Sequence, residues 1–268
     1  MTETPADRES PADRETPPAP ETRPDREIRR CAGLLLAAGS GQRMGGPKAL
    51  LSLDGRLLVE RVADVLRDGG CDSVVVVLGA SADEVRRRAD LGDARIVDNP
   101  NWAEGQAASL RIGLVAAADD DDLPAEAVVV ALVDQPAISA AVVRRLVEAW
   151  REGAGPAVIA SYGGAPRNPV LLDRRVWADV GANVEGDEGA RLWLREVRRD
   201  RPDLIVLVEC GDIGDPTDLD TPADVEALSL PGADSTGNAD STGNADSTGA
   251  SPGTDALATA GPTNRSEA

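Results

Sequence analysis

Between residues 31 and 208 the sequence alternates short apolar runs with amphipathic stretches of helical period. Cys31–Ala37 and Ala127–Val133 are the most apolar of these runs. Such runs are typical of strands buried on both faces, and helices between them indicate an α/β fold with a mostly parallel sheet. Because ligands of such sheets bind beyond the carboxyl ends of strands, the loops at 38–48 and 134–136 are candidate parts of a site.

Further elements follow from the same periodicities. Other strands are predicted at 73–78, 95–97, 157–161, 169–172 and 204–208. Helices are predicted at 57–67, 82–89, 106–117 and 139–150. Ser139 is the predicted N-cap of the last helix, because a serine hydroxyl accepts a hydrogen bond from a backbone N–H of the first turn.

The two ends of the chain have a composition that does not support a core. Residues 1–30 contain the string PADRE twice, and residues 231–268 contain ADSTG three times. Both stretches lack the apolar residues needed to offset the entropy of ordering, so we predict two disordered tails. The predicted folded domain is therefore 31–230.

Composition excludes several classes of function. The chain has 268 residues and a formal net charge of −19, and such a surface repels a phosphate backbone, so no nucleic-acid partner is expected. The absence of His excludes a Ser–His–Asp triad and a His-containing zinc site. Cys31, Cys71 and Cys210 form no CxxC pair, which favours a reducing cytoplasm. No apolar run has the length of a membrane helix or the position of a signal peptide, so no membrane partner is expected.

The loop at 38–48, with the sequence AGSGQRMGGPK, is the strongest local signal. Its small residues let backbone N–H groups approach an anion, as in a phosphate-binding nest. Arg43 and Lys48 add positive charge, and Lys48 is the only lysine of the chain. Pro47 rules out a Walker A motif and Met44 rules out a dinucleotide GxGxxG motif. The structural alternative is a glycine-rich turn with one surface lysine.

At this loop the sequence resembles the nucleotidyltransferases that act on the molybdenum cofactor. The similar segments are LAAGSGQRMGGPKALL at 36–51, NPNW at 99–102 with Gly105, SL at 109–110 and Gly113, VDQP at 133–136, RNPVL at 167–171, GDEGAR at 186–191 and DLDTP at 218–222. They occur in the order of the family and cover most of 31–230. The resemblance implies a three-layer α/β/α, Rossmann-like fold of the GT-A type with a mostly parallel sheet.

The resemblance also implies a reaction. The phosphate of molybdopterin attacks the α-phosphorus of a nucleotide and pyrophosphate leaves, with Arg43 and Lys48 neutralising the charge and Asp134 holding Mg²⁺. Asp220 is the implied second metal ligand, with Asp218 as the alternative. The structural alternatives are a solvated strand-end carboxylate for Asp134 and a cap of the following helix for the other two. An anionic phosphate nucleophile needs no His base.

The same motifs imply which residues contact the substrates. The implied nucleotide-binding residues are Leu36, Ala37, Ala38, Gly39, Ser40, Gly41, Lys48, Asn99 and Ser109. The implied acceptor-binding residues are Trp102, Gln106, Arg167, Asn168 and Asp187. For Asp187, an i,i+4 ion pair with Arg191 on one helix is the structural alternative.

The nucleotide and the acceptor leave alternatives open. The LAAG opening is similar to that of cytidylyl members of the family, whereas guanylyl members tend to have LAGG, so Ala38 favours transfer of CMP from CTP. The alternatives are a guanylyltransferase of the same cofactor, a transferase for another phosphorylated small molecule, and a cofactor-binding accessory protein for a molybdoenzyme. A molybdenum hydroxylase apoenzyme is the protein partner that the resemblance suggests.

Overall fold

A computed structural model describes residues 29–119 and 124–229, so nearly all of both predicted tails lies outside the described residues. The strands are β1 (Cys31–Ala37), β2 (Ser52–Leu53), β3 (Arg56–Leu57), β4 (Ser73–Leu78), β5 (Arg95–Asp98), β6 (Ala127–Leu132), β7 (Ala157–Tyr162), β8 (Ala165–Asp173) and β9 (Ile205–Glu209). The α-helices are α1 (Leu58–Asp68), α2 (Ala82–Arg88), α3 (Gln106–Ala118), α4 (Ala140–Arg151), α5 (Arg174–Asn183), α6 (Arg191–Asp200) and α7 (Pro222–Ser229).

Seven of these strands form one sheet in the order β5-β4-β1-β6-β8-β7-β9, and β2 and β3 form a separate hairpin. Within the sheet β8 is antiparallel to both of its neighbours, and the other six strands run in one direction. The sheet is therefore mostly parallel, as the apolar runs predict. The carboxyl ends of β1 and β6, which are neighbours, meet at one edge.

Helices cover both faces of the sheet. Leu35 of β1 packs in the core that includes α1 and α4, whereas Leu34 and Leu36 pack in the core on the α3, α5 and α6 side. This alternation is the geometry of a strand with apolar residues on both faces, and it confirms the three-layer α/β/α fold. No helix of the described segments is both long and apolar enough to cross a lipid bilayer.

The predicted elements occur in the structure with small differences in their ends. The hydroxyl of Ser139 accepts a hydrogen bond from the N–H of Val142 at 3.3 Å, which confirms the predicted N-cap of α4. The main difference is β8, which begins at Ala165 instead of residue 169. The strands β2 and β3 and the helices α5 and α6 were not predicted from the sequence, whereas the helix expected after the DLDTP motif is α7. Helix α6 has only a weak apolar pattern in the sequence, because it buries just two side chains, Trp193 and Val197, among many charged residues.

Arg29 and Arg30, at the end of the predicted N-terminal tail, pack on the domain. The guanidinium of Arg29 donates to a carboxylate oxygen of Asp173 at 2.7 Å and lies 3.8 Å from the ring centroid of Trp150. The carbonyl of Arg30 accepts a hydrogen bond from the N–H of Glu126 at 3.0 Å. The packed segment therefore begins at least two residues before the predicted boundary.

Two deletions test this boundary. Removing 1–28 together with 231–268 is expected to leave the free energy of unfolding and the turnover unchanged, because these segments are predicted to contribute little apolar area. Extending the N-terminal deletion to residue 30 is expected to lower the free energy of unfolding by about 1–3 kcal/mol. The nearly buried Asp173 then loses a charged hydrogen bond from Arg29, and the Trp150 ring loses its contact with the Arg29 guanidinium. Urea unfolding of both proteins provides the measurement. Equal stability of the two would show that Arg29 and Arg30 contribute nothing.

Glu209 ends β9 and holds the turn between β7 and β8. Its carboxylate accepts hydrogen bonds from the backbone N–H groups of Gly164, Gly163 and Gly211 at 3.1, 2.9 and 3.2 Å, and from the hydroxyl of Ser161 at 2.9 Å. These bonds, led by those from Gly164 and Gly163, lower the pKa of Glu209 from 4.5 to about 2. The ionised carboxylate thus stabilises the hairpin that carries β8.

The lowered pKa of Glu209 predicts a pH-dependent contribution to stability. A carboxyl group whose pKa is lower in the folded state stabilises the protein above its unfolded pKa, here 4.5, and this contribution is lost as pH falls toward about 2. The difference in melting temperature between wild type and Glu209→Gln is therefore expected to shrink over that range. Glu148→Gln, at an exposed position of α4, is the control. A difference that stays constant with pH would contradict the role of the ionised carboxylate.

Candidate active site

The loop after β1 contains two short 3₁₀ helices, Gln42–Met44 and Lys48–Leu50. Gly41 has a φ of 60°, and a Cβ there would lie 1.9 Å from the carbonyl oxygen of Gly46, so this tight turn requires glycine. None of the described residues accepts a hydrogen bond from the backbone N–H groups of Gly39 and Ser40. These groups are therefore available to an anion, as the nest interpretation requires.

Lys48 joins two carboxylates from distant parts of the chain. Its ammonium donates to Asp134 Oδ2 and to Asp220 Oδ1, each at 2.9 Å. Asp134 follows β6 and Asp220 precedes α7, so the fold brings three sequence motifs together at the carboxyl edge of the sheet. Burial lowers the pKa of Lys48, but the hydrogen bonds to Asp220 and Asp134 outweigh it and raise the pKa overall. Lys48 is therefore a fixed positive charge at neutral pH.

Asp218 lies two residues from Asp220 but has a different partner. The amide Nε2 of Gln135 donates to Asp218 Oδ1 at 2.7 Å. Burial raises the pKa of Asp218, although this hydrogen bond opposes the effect. The structure thus brings Asp220, and not Asp218, to Lys48 and Asp134.

The alternative in which Asp218 or Asp220 caps α7 is wrong. The backbone N–H groups of Asp220 and Thr221 donate to the carboxylate of Asp224, at 2.9 and 2.7 Å. Asp224 is part of the first turn of α7. The carboxylates of Asp218 and Asp220 make the contacts described above instead, so neither is engaged at the helix terminus.

A cavity of about 650 Å³ lies beside this cluster, beyond the ends of β1 and β6. The predicted nucleotide-binding residues on its wall are Leu36, Ala38, Gly39, Ser40, Gly41, Lys48 and Ser109. Ala37 does not line it, because its side chain packs into the core on the opposite face of β1.

Asn99 does not line this cavity either. It is 1% exposed, and its Nδ2 donates to the hydroxyl of Ser109 at 2.9 Å. Its Oδ1 accepts a hydrogen bond from the backbone N–H of Asn101 at 2.9 Å. The Asn99 side chain therefore does not contact the nucleotide, as the motif implied, but positions Ser109, which lines the cavity. The side chain of Arg43 is outside the described part, so its phosphate contact stays a prediction.

A second cavity, of about 840 Å³, adjoins the first. The two share Leu36, Gln106 and Leu132 as wall residues. The predicted acceptor-binding residues divide between them, since Arg167 and Asn168 line the larger cavity and Trp102 and Asp187 line the smaller one. Gln106 alone of that predicted set lines both.

Asp187 reaches the smaller cavity through a close backbone contact. Gly105 has a φ of 105°, and a Cβ there would lie 2.4 Å from the carbonyl carbon of Gly186. Glycine at 105 therefore lets the start of α3 pack directly against the short helix Gly186–Glu188 that carries Asp187. That helix ends before α6 begins at Arg191, so the i,i+4 pair of Asp187 and Arg191 on one helix is wrong.

Of a row of arginines on the larger cavity, only Arg191, in the GDEGAR motif, was considered from the sequence. The helix α6 contributes four of them to its wall: Arg191, Arg195, Arg198 and Arg199. The spacing of the first three, i, i+4 and i+7, places them on one face of a helix. This spacing is visible in the sequence and was the signal available for finding them.

The fold and the site agree with a comparison to known proteins. A family model described as a MobA-like NTP transferase domain matches residues 33–201. The chain belongs to this family. The resemblance drawn from the motifs is thereby confirmed, and the protein is a nucleotidyltransferase.

Individual relatives of this transferase have different names. Nicotine blue oxidoreductase of Paenarthrobacter nicotinovorans is 41% identical over 195 residues, which is 70% of this chain and 91% of that protein. A molybdenum cofactor guanylyltransferase of Cereibacter sphaeroides is 38% identical over 138 residues, half of this chain and 64% of that protein. Among solved structures, Rv0371c of Mycobacterium tuberculosis H37Rv is 28% identical with a TM-score of 0.62, covering 75% of this chain and 98% of its own.

The carboxylates of the transferase fit a hard divalent cation. Asp134 and Asp220 both lie 2.9 Å from the Lys48 ammonium, and Mg²⁺ is usually held by one or two carboxylates together with phosphates and water. Among the described residues there is no group of three or more His, Cys, Asp or Glu that could hold a metal. Rv0371c has also been solved in complex with manganese.

Proposed function

We propose that this nucleotidyltransferase moves a nucleoside monophosphate from a nucleoside triphosphate to the phosphate of molybdopterin or the molybdenum cofactor, with release of pyrophosphate. The observation that supports this most directly is the contact of Lys48 with both Asp134 and Asp220, on the wall of one cavity that adjoins another. A triphosphate in the smaller cavity and an acceptor in the larger one would meet at the shared wall.

In the proposed reaction an oxygen of the acceptor phosphate forms a bond to the α-phosphorus. The bond from that phosphorus to the oxygen bridging the β-phosphate breaks, and pyrophosphate leaves with the electron pair. The nucleophile is already anionic near neutral pH, which fits a chain without His. The backbone N–H groups of Gly39 and Ser40 and the ammonium of Lys48 would hold the phosphates and stabilise their charge. Asp134 and Asp220 would hold Mg²⁺, whose chemistry when bound is neutralisation of phosphate charge.

CTP is the nucleotide that we favour, and GTP is the alternative. Ala38 lies on the wall of the smaller cavity and adds a methyl group that glycine would lack. That methyl should crowd a purine more than a pyrimidine. The guanylyltransferase name of the Cereibacter sphaeroides relative supports GTP instead.

Pyrophosphate release with ATP, CTP, GTP and UTP, each with and without molybdopterin, tests the proposed function. We expect release that depends on molybdopterin, with CTP preferred over GTP by about 10–200-fold in kcat/KM, the range that one small apolar contact supplies. The variant Ala38→Gly should lower the ratio of kcat/KM for CTP to that for GTP while it still releases pyrophosphate. Faster turnover of GTP by the wild type would replace the cytidylyl assignment with the guanylyl one.

An oxidoreductase is a second candidate, because the relative named nicotine blue oxidoreductase is 41% identical over 91% of its length. The test is reduction of nicotine blue by NADH or NADPH. An accessory protein that only binds cofactor is a third possibility, and it would bind molybdopterin without releasing pyrophosphate. The cytoplasmic location and the molybdenum hydroxylase partner stay predictions.

A further inference from the structure

The larger cavity has two walls of different chemistry. One is apolar and comes from the sheet and α3, with Leu110, Val130, Ile159 and Val170. The other carries arginines, four from α6 and Arg167 from β8. In a chain with a net charge of −19, this concentration of positive charge at one cavity needs a reason.

Two of the five arginines have acidic partners. Arg195 pairs with Glu188 at 3.0 Å, and Arg199 pairs with its neighbour Asp200 at 2.7 Å. Among the described residues no hydrogen bond or ion pair engages the guanidinium groups of Arg167, Arg191 and Arg198. Three arginines without an acidic partner among the described residues therefore line one cavity, whose wall also carries the carboxylate of Asp218.

These arginines are separate from the proposed reaction centre. Lys48, Asp134 and Asp220 line the smaller cavity only, and Arg167, Arg191 and Arg198 line the larger cavity only. The phosphate group that attacks the nucleotide has to lie near Lys48. An anion held by the three arginines is therefore a different group of the acceptor.

We infer that the acceptor carries a second anionic group, apart from the reacting phosphate, and that Arg167, Arg191 and Arg198 bind it while the apolar wall receives a flat body. The inference rests on the proposed function, because it takes the larger cavity as the acceptor site. Guanidinium groups suit this role because they are always charged and donate in a planar fork that matches carboxylate, phosphate and other oxyanions. These residues then select polyanionic acceptors over simple phosphate monoesters.

The site can be probed without the natural acceptor by pyrene tetrasulfonate, a flat fluorescent polyanion. Its affinity is measured by fluorescence anisotropy with the full chain, for wild type and for the double variants Arg191→Gln/Arg198→Gln and Arg195→Gln/Arg199→Gln. Both doubles remove two charges from the same helix, so non-specific attraction falls equally in each. We expect the first double to bind about 100-fold more weakly, roughly tenfold for each lost charged contact, and the second to stay within about threefold of wild type.

Failure of this inference is distinguishable from failure of the proposed function. Absence of probe binding to the wild type, or equal weakening in both doubles, would overturn the inference. Kinetics with molybdopterin form the second arm, where the first double should raise the KM for molybdopterin while kcat and the KM for the nucleotide stay near wild type. If both double variants transfer the nucleotide with the wild-type KM for molybdopterin, the inference is wrong and the proposed function is unaffected. Probe discrimination without any transfer by the wild type would leave the anion site standing and reject molybdopterin as the acceptor.

Discussion

Replacing Lys48 with alanine is expected to lower kcat for pyrophosphate release by about 10²–10³-fold, the usual cost of losing one preorganised charge at a reacting centre. The ammonium is held 2.9 Å from two carboxylates on the wall of the smaller cavity, so it is already in place when the triphosphate arrives. The melting temperature should change little, because Lys48 lies in a loop outside the hydrophobic core and both of its carboxylate partners stay partly exposed, Asp134 at 25% and Asp220 at 57%.

The variant Lys48→Arg distinguishes a close contact between residue 48 and the phosphates from a need for any positive charge at that position. The chain uses arginine for all its other basic residues, so codon preference alone would make arginine harmless at 48. A compact ammonium that touches two carboxylates leaves no matched space for the wider planar guanidinium, so we expect a clear loss of turnover. Arg56→Ala, at an exposed position of the β2–β3 hairpin, is the control. Wild-type turnover of Lys48→Arg would show that Lys48 does not contact the phosphates.

Asp134→Asn and Asp220→Asn are each expected to lower turnover by at least about 100-fold at ordinary Mg²⁺ concentrations, because a catalytic metal supplies several kcal/mol of charge stabilisation. The amide keeps the shape of the carboxylate but removes the charge that a hard cation requires. Raising the concentration of Mg²⁺ or Mn²⁺ should restore part of the activity in both variants. The measurement is the concentration of metal that gives half-maximal rate.

Asp218→Asn is the matched comparison for Asp220→Asn. The amide oxygen of asparagine at 218 can still accept the hydrogen bond from Gln135, and this side chain is not in contact with Lys48. Its metal requirement should therefore equal that of wild type. A raised requirement in Asp218→Asn with a normal one in Asp220→Asn would reverse the assignment of the second ligand.

The central strands were predictable because their sequences satisfy one simple requirement. β1 and β4 have the predicted bounds, since a strand buried on both faces must be apolar at every position. The helix α4 was predictable because its buried positions recur at helical spacing and Ser139 caps its start. Helix α6 was not, because it packs with two buried side chains and its face toward the cavity is charged.

Site residues were predictable where a motif contains a single charged side chain. They were less predictable where packing decides which of several neighbouring side chains lines the cavity. Motifs alone named Lys48, Asp134 and Asp220, and the structure brings them together. Motifs could not separate Ala37 from Ala38, because Ala37 ends β1 and Ala38 begins the loop, and only the packing shows that Ala37 lies in the core while Ala38 lines the cavity. Nor could they show that Asn99 is buried against Ser109.

Transfer of label from the α-phosphate tests the account most directly. The full chain is incubated with molybdopterin, Mg²⁺ and CTP or GTP labelled with ³²P at the α-position, and the products are separated by chromatography. We predict that the label appears in a molybdopterin dinucleotide in equal amount to the pyrophosphate released, and that Lys48→Ala slows the formation of both by the same factor, about 10²–10³. Label that stays in the unreacted nucleotide, or that appears only as free nucleoside monophosphate, would contradict the assignment of this chain as a transferase to a molybdopterin phosphate.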